Sequence, residues 1–276
     1  MTPVKIAILQ MTSGIDPSAN AETLVSAVHA AAKSGAAMLF TPEMSGLLDS
    51  NRERARPHIV AEEENAVLAA VQAAARDAGI WVHVGSLALK GPERSFNRGF
   101  VISSDGSIRA RYDKLHLFDV DLPTGESWRE SNAYVPGSNS VVAQTPIGTL
   151  GMTICYDVRF PALFQALSGA GANVISVPAA FTVPSGEAHW HVLLRARAIE
   201  NACWIIAAAQ SGTHEDGRST FGHSLVIDPW GRVVLDMKNE VGLGFAEIDL
   251  AQVEDVRSRI PVISHRRSIP FVEVRQ

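Results

Sequence analysis

The chain has 276 residues, of which 46% are hydrophobic and 19% charged, and its formal net charge is -5. That composition suits one large α/β domain or two small ones, and it lacks the basic field that attracts nucleic acid or an anionic membrane surface. Two cysteines, Cys155 and Cys203, cannot build a disulfide framework; no apolar run nears the ~20 residues of a membrane helix; and no basic flank precedes a long apolar run at the N-terminus. A reducing, cytoplasmic setting is expected.

Residues 4–10 read as a first, mostly apolar strand. Asp16-Pro17-Ser18 is a helix start, and residues 19–34 form an alanine-rich helix stopped by Gly35. Residues 37–40 are a buried strand running into Thr41-Pro42-Glu43. Residues 62–77 read as one helix, acidic at its N-terminal end as the helix dipole prefers and closed by Gly79. Strands follow at 80–89 and 96–103, with Asp105-Gly106 as a hairpin turn, and residues 111–116 leave that hairpin carrying Lys114. Residues 117–136 are an irregular acidic stretch, and a loop of that length is more often functional than filler.

A second hairpin, 140–144 and 148–154, ends at Cys155-Tyr156-Asp157-Val158-Arg159-Phe160-Pro161, where Pro161 suits the first turn of a helix. A helix at 160–170, a strand at 173–179, a helix at 186–201 and a buried strand at 204–210 come next. Residues 213–220 read as a polar loop, 224–234 as a hairpin, 244–248 as a last strand, 250–257 as a short helix and 261–276 as an extended tail that packs on something. There is no linker and no solenoid-like repeat, so a single domain over 1–276 is expected. About a dozen strands exceed what one open sheet carries, which predicts an α/β fold of two stacked sheets with outer helices.

Three reactive residues stand at the ends of apolar strands: Glu43, Lys114 and Cys155. Taken singly, each has a plain structural role open to it: a rim or capping acid, a surface ion pair, a small core hydrophobe. Together they supply what amide hydrolysis through a thiol requires, namely a base, a thiolate and a fixed cation for the oxyanion. Partial desolvation is expected to raise the Glu43 pKa, and backbone N–H groups beside Cys155 to favour its thiolate. His116, His189, His191, His214 and His223 are dispersed, without HExxH or Cys/His spacing, and no phosphate-binding glycine loop is present; neither a metal nor a cofactor is expected. Cys203, before an apolar strand, reads as core. Trp190, Arg195 and Arg197 share one helix and read as packing and ion-pair residues, with a dimer interface as an alternative.

The segments Thr41-Pro42-Glu43, Tyr112-Asp113-Lys114-Leu115-His116-Leu117 and Ile154-Cys155-Tyr156-Asp157-Val158-Arg159-Phe160-Pro161 resemble the three signatures of the nitrilase superfamily, the carbon–nitrogen hydrolases. The resemblance runs from Ile6 to about Arg267. It implies a four-layer α-β-β-α sandwich, a Glu43–Lys114–Cys155 catalytic triad, Glu130 as a second glutamate beside it, and a homodimer or higher homo-oligomer. Residues 116–121, 186–190, 195–200 and 222–231 resemble the Nit amidases, and Ala207-Ala208-Ala209-Gln210 leans toward the deaminated glutathione amidases over the ω-amidases. His191 departs from the acidic residue expected after Trp190 in animal relatives, which leaves fine substrate choice open.

The resulting expectation is a thiol amidohydrolase releasing ammonia from a small carboxylate-bearing primary amide, with Tyr156, Arg159, Thr182, Ser185 and His189 near the substrate. An ω-amidase is the alternative within the branch. A nitrile hydrolase or an acyltransferase would share the triad, and a binding protein without catalysis would be favoured only if a triad residue were missing.

Overall fold

The computed structural model describes residues 2–121 and 125–275. Two six-stranded sheets dominate it. The first runs in the spatial order Gly242–Ile248, Val4–Gln10, Met38–Phe40, Trp81–Leu89, Phe96–Ile102, Ile108–Asp113. The second runs Val233–Asp236, Leu225–Ile227, Trp204–Ala207, Val174–Ser176, Gly148–Met152, Val141–Thr145. Each has three parallel strands at its centre, one antiparallel strand on one flank and two on the other. Read from the single-strand flank, the two sheets have the same sequence of pairings, a likeness with no counterpart in sequence period.

The layers follow from alternation along each strand. Ile6 and Ile8 face the second sheet, whereas Ala7 and Leu9 face the helices Pro17–Lys33 and Ala66–Ala78. Met38 and Phe40 divide from Leu39 in the same way, and Val101 from Phe100 and Ile102. On the far side, helices Pro161–Gly169 and His191–Asn201 cover the second sheet. The expected α-β-β-α sandwich is therefore the observed one. Between the sheets His83 sits fully buried against Ser176 Oγ, and burial pushes its imidazole down to about 3, so it is neutral.

Several boundaries differ from expectation for local reasons. Residues 62–77 are not one helix: Glu62–Glu64 form a 3₁₀ turn, and the α-helix begins at Ala66, where the Asn65 side chain caps the Leu68 N–H. Glu62 pairs with Arg98 and Arg111, across the first sheet's edge, instead of serving the helix dipole. The polar loop 213–220 is flanked by paired strands, Ser211–Thr213 and Ser219–Phe221. Residues 186–201 start as a π turn, Gly186–Trp190, before the α-helix His191–Asn201. Within 117–136 a small hairpin joins Asp119–Asp121 to Ser127–Arg129; residues 122–124 of that stretch lie outside the described residues.

Trp190, Arg195 and Arg197 make contacts within the chain: Trp190 Nε1 donates to His223 O, Arg195 Nε to Gly231 O and Arg197 Nε to Val158 O. Cys203 is buried in the core, as expected. The tail is held at Arg266, which donates to Gln165 O, Ser168 Oγ and Asn201 Oδ1; beyond it Ile269, Phe271, Val272 and Val274 are exposed among the described residues. Among the described residues no helix is long and apolar enough to cross a membrane.

Gly85 sets how closely the loops after the parallel strands meet. A Cβ there would lie 2.2 Å from Thr41 O and 2.5 Å from both Pro42 O and Pro178 Cβ. Two of those atoms are backbone, so relief requires moving the turn that carries Glu43. Gly85→Ala should therefore destabilise the fold by about 1–3 kcal/mol, the usual range for overpacking. Urea unfolding measures this; a variant within 0.5 kcal/mol or so of the parent would show that the turn yields freely.

Candidate active site

The carboxyl ends of the parallel strands of both sheets meet at one place, the usual location of a ligand crevice in such sheets. Gln210 stitches them together: it donates to Ser13 Oγ and Glu43 O and accepts from Ser13 N–H. A cavity of about 760 Å³ opens there, and Glu43, Lys114, Glu130 and Cys155 all line it.

Glu43 lies three residues beyond the strand Met38–Phe40, and Lys114 directly follows Ile108–Asp113. Lys114 Nζ donates to Glu43 Oε1 at 2.9 Å and to both oxygens of Glu130, at 3.1 and 2.9 Å. Asn97 Nδ2 bridges the same two carboxylates, at 2.9 and 3.1 Å. The second Glu43 oxygen accepts the Ala180 N–H from the other sheet, at 2.9 Å, and Glu130 Oε2 accepts the Phe118 N–H at 2.7 Å. Both carboxylates and the ammonium are thus held in fixed directions, while Asn97 Oδ1 is buried without a hydrogen-bond partner among the described residues.

Cys155 opens a 3₁₀ turn, Cys155–Arg159, three residues past the end of the strand Gly148–Met152. It adopts a left-handed backbone, φ 47°, held by its N–H donating to Pro178 O at 2.8 Å. A side chain at such a φ costs of order 1 kcal/mol and persists only where its surroundings enforce it. The enforcing group is Asp157. Its fully buried carboxylate accepts from Ile154 N–H, Tyr112 Oη, His116 N–H and His116 Nδ1, at 2.7–3.0 Å. Asp157 therefore locks the cysteine turn to the segment that carries Lys114.

Charge in the cluster departs from expectation in two respects. Burial alone would raise the Glu43 carboxyl, but the charge and hydrogen bond of Lys114, with hydrogen bonds from Cys155 and Asn97, hold it below its ordinary value of 4.5. Glu43 is thus a carboxylate, and the raised pKa expected of it is not found. Burial would also drive Lys114 toward the amine; Glu130 and Glu43 reverse this and hold the ammonium well above its ordinary range. Burial and the Glu43 charge push the Cys155 thiol well up, against the pull of Lys114. The resting sulfur is a thiol bonded to a carboxylate, not the thiolate expected from its backbone N–H neighbours.

Of the residues expected near substrate, Tyr156, Thr182 and Ser185 line the cavity and Arg159 and His189 do not. Arg159 is drawn over the Tyr156 and Phe181 rings, and its Nη1 lies 3.2 Å from His189 Nδ1. Besides Lys114, the cavity's basic groups are instead Arg52, Arg56, Lys90, Arg94, Arg129 and Arg218. Asn97 and Asp157 are the positioning residues that sequence reasoning missed. Asn97 sits inside an apolar strand, where an amide is a detectable oddity; Asp157 was visible only as part of a polar run.

With this geometry in place, comparison with known proteins is direct. Residues 5–258 match the carbon-nitrogen hydrolase family. A deaminated glutathione amidase of Yersinia enterocolitica is 40% identical over 98% of this chain and 95% of its own length. The crystal structure of the NitFhit protein of Caenorhabditis elegans superposes with TM-score 0.89 at 40% identity, over 96% of this chain; this chain spans only 65% of that longer protein. An amidase from Nesterenkonia sp. AN1, solved with acrylamide added at its active-site cysteine, gives TM-score 0.78 at 28% identity, over 94% of this chain and 98% of that one. A match across nearly the whole chain, on a four-layer sandwich with an acid, a lysine and a thiol in one cavity, makes this chain a member of the carbon-nitrogen hydrolase family, a hydrolase of carbon–nitrogen bonds.

Proposed function

We propose that Cys155 is the nucleophile, Glu43 the general base and acid, Lys114 the oxyanion cation and Glu130 a positioning residue for Lys114 and the incoming water. The observation that carries the reading is the convergence of all four on one cavity, with Glu43 ionised and the thiol protonated. Substrate arrives at a neutral sulfur. As Cys155 attacks the amide carbonyl its proton passes to Glu43, so the net charge of the cluster does not change. Lys114 and the Tyr156 N–H receive the oxyanion, a role in which one preorganised donor is typically worth 10²–10³ in rate. Glu43 then gives its proton to the departing amine, and the thioester is hydrolysed by a water that the same carboxylate deprotonates.

For substrate we infer a deaminated glutathione, the compound named in the curated relatives. Its amide at the former γ-glutamyl carbonyl is secondary, so the departing group is the amine of cysteinylglycine; with a primary amide such as α-ketoglutaramate it is ammonia. Glu43 can protonate either. The compound carries carboxylates at both ends, and the cavity offers guanidinium groups suited to them, those of Arg56, Arg94 and Arg218. We further infer a homodimer in the cytoplasm. Val192 and Ile199, seven apart on one helix, are 69% and 50% exposed, and Trp230 nearby is 49% exposed, an apolar stripe of the sort that pairs with a second copy.

Cys155→Ala should abolish turnover with folding intact, whereas Cys203→Ala keeps most of it; equal loss in both would remove Cys155 from the role. Lys114→Met should lower kcat by at least about 10² with a smaller change in KM. In Glu43→Gln, rapid-quench mass spectrometry should find no acyl-enzyme; normal acylation would put the base elsewhere. Because Glu43 must be ionised to accept the proton, and its pKa is lowered, activity should persist as pH falls to 4.5 and fail only below it, unless unfolding intervenes. For the substrate, kcat/KM should be highest for deaminated glutathione with cysteinylglycine as product. A higher value for α-ketoglutaramate, with ammonia released, would move the protein to the ω-amidase reading and leave the chemistry standing. Light scattering should give twice the chain mass, and a monomer for Val192→Glu combined with Ile199→Glu; an unchanged assembly would exclude that stripe as the interface.

A further inference from the structure

Outside the catalytic cavity, three ligand-type side chains far apart in sequence converge: His191, His223 and Asp236, whose donor atoms all lie within 4.8 Å of one another. His191 Nε2 is 3.1 Å from Asp236 Oδ2; His223 Nδ1 is 2.9 Å from Oδ1 and 3.1 Å from Oδ2. A tetrahedral zinc ion with bonds of 2.0–2.2 Å places neighbouring ligand atoms about 3.3 Å apart, close to these separations.

Each ligand is fixed by contacts beyond the cluster, as in built metal sites. Lys238 N–H donates to Asp236 Oδ1 at 2.8 Å and orients the carboxylate. His223 has a left-handed backbone, φ 53°, with its N–H given to Lys238 O and its carbonyl accepting Trp190 Nε1 at 2.8 Å. Its ring stacks on Phe221, centroids 4.5 Å apart. His191 is the first residue of its helix, directly after the π turn Gly186–Trp190. Single π turns inside helices occur frequently at functional sites, because the extra residue re-aims the side chains that follow. The three side chains are 35%, 22% and 26% exposed, open enough for an ion and its water to enter.

We propose that His191, His223 and Asp236 bind one divalent transition ion of the zinc class, with water in the fourth position. Two imidazole nitrogens select zinc, cobalt or nickel over magnesium and calcium, which prefer oxygen. Binding needs no redox partner: the ring nitrogens that face Asp236 give up their protons, which move to the other ring nitrogen or to water, and present lone pairs to the ion. The ion would join the start of the helix His191–Asn201, the strand end at Asp236 and the loop after Ser219–Phe221. This junction backs the wall of the catalytic cavity. Phe221 packs under Gly186, where a Cβ would come within 2.2 Å of its ring, and Thr182 bridges to Thr220; both threonines line the cavity. The ion is therefore a structural tie behind the substrate wall and takes no part in the thiol chemistry.

The test uses the full chain carrying Cys155→Ser, so that the nucleophilic thiol does not compete for metal. After removal of metal by chelator, cobalt and zinc are titrated in turn. One ion per chain is expected, with cobalt d–d bands and no sulfur-to-cobalt charge transfer, and saturating zinc should raise Tm. His191→Ala and His223→Ala should each weaken binding at least 100-fold, while His189→Ala leaves it within about twofold. Since the strained His223 position could fold poorly when changed, His191→Ala, at a solvent-accessible helix start, carries the test alone. No stoichiometric ion at micromolar zinc, a thiolate signature in the cobalt spectrum, or binding that survives His191→Ala would each overturn the proposal.

Discussion

The site depends on a single desolvated cation. Lys114 is buried between Glu43 and Glu130, and each of its contacts is a charge-assisted hydrogen bond of 2.9–3.1 Å. A buried ammonium is tolerable only when so paired, and removing it would leave two buried carboxylates uncompensated. Two carboxylates against one ammonium give the cluster a net charge of minus one before any reaction. Burial first, and then the Glu43 charge, push the Cys155 thiol well up against the pull of Lys114 and keep it protonated. In the mechanism we propose, reactivity is thereby deferred: the sulfur becomes a strong nucleophile only as its proton moves to Glu43, with substrate already in place.

Both sheets are committed to this arrangement. Lys114 and Asn97 reach Glu43 from the first sheet, and the Ala180 N–H reaches it from the second. The Asp157 carboxylate ties the Cys155 turn to Tyr112 and His116 across the same seam. The polar groups that hold the chemistry are thus also groups that hold the sheets in register. The apolar core on either side, Ile6 and Ile8 against Leu150 and Met152 for instance, is less particular, because dispersion and burial have no direction.

This division explains what could be read in the sequence. Glu43, Lys114 and Cys155 were legible because each interrupts the end of an apolar strand, and Glu130 through family resemblance. The two-sheet architecture followed from the number of strands. The Ala180 N–H was not legible, having no side-chain signal, and Asn97 went unread although an amide inside a strand is a visible signal. The directions of the pKa shifts were misread for the same reason: desolvation can be guessed from an apolar neighbourhood, but the counter-charge that reverses it arrives through tertiary contact. Arg159 and His189 show the opposite error, where suitable chemistry beside the motif is spent on each other and on the Tyr156 and Phe181 rings. Glu62–Glu64 failed as a helix start because Asn65, a stronger cap, stands one turn later.

The matching order of pairings in the two sheets means that every position at a strand end has an equivalent across the seam. The outer strand that delivers Lys114, Ile108–Asp113, corresponds to Val233–Asp236, which ends at the carboxylate joining His191 to His223. One scaffold has thus written two polar assemblies at equivalent corners, one aimed into the cavity and one behind its wall. The architecture uses one sheet pattern twice with different residues at its strand ends, so that half the chain holds Glu43 and Lys114, the other half holds Cys155, and the cavity exists only where the two meet.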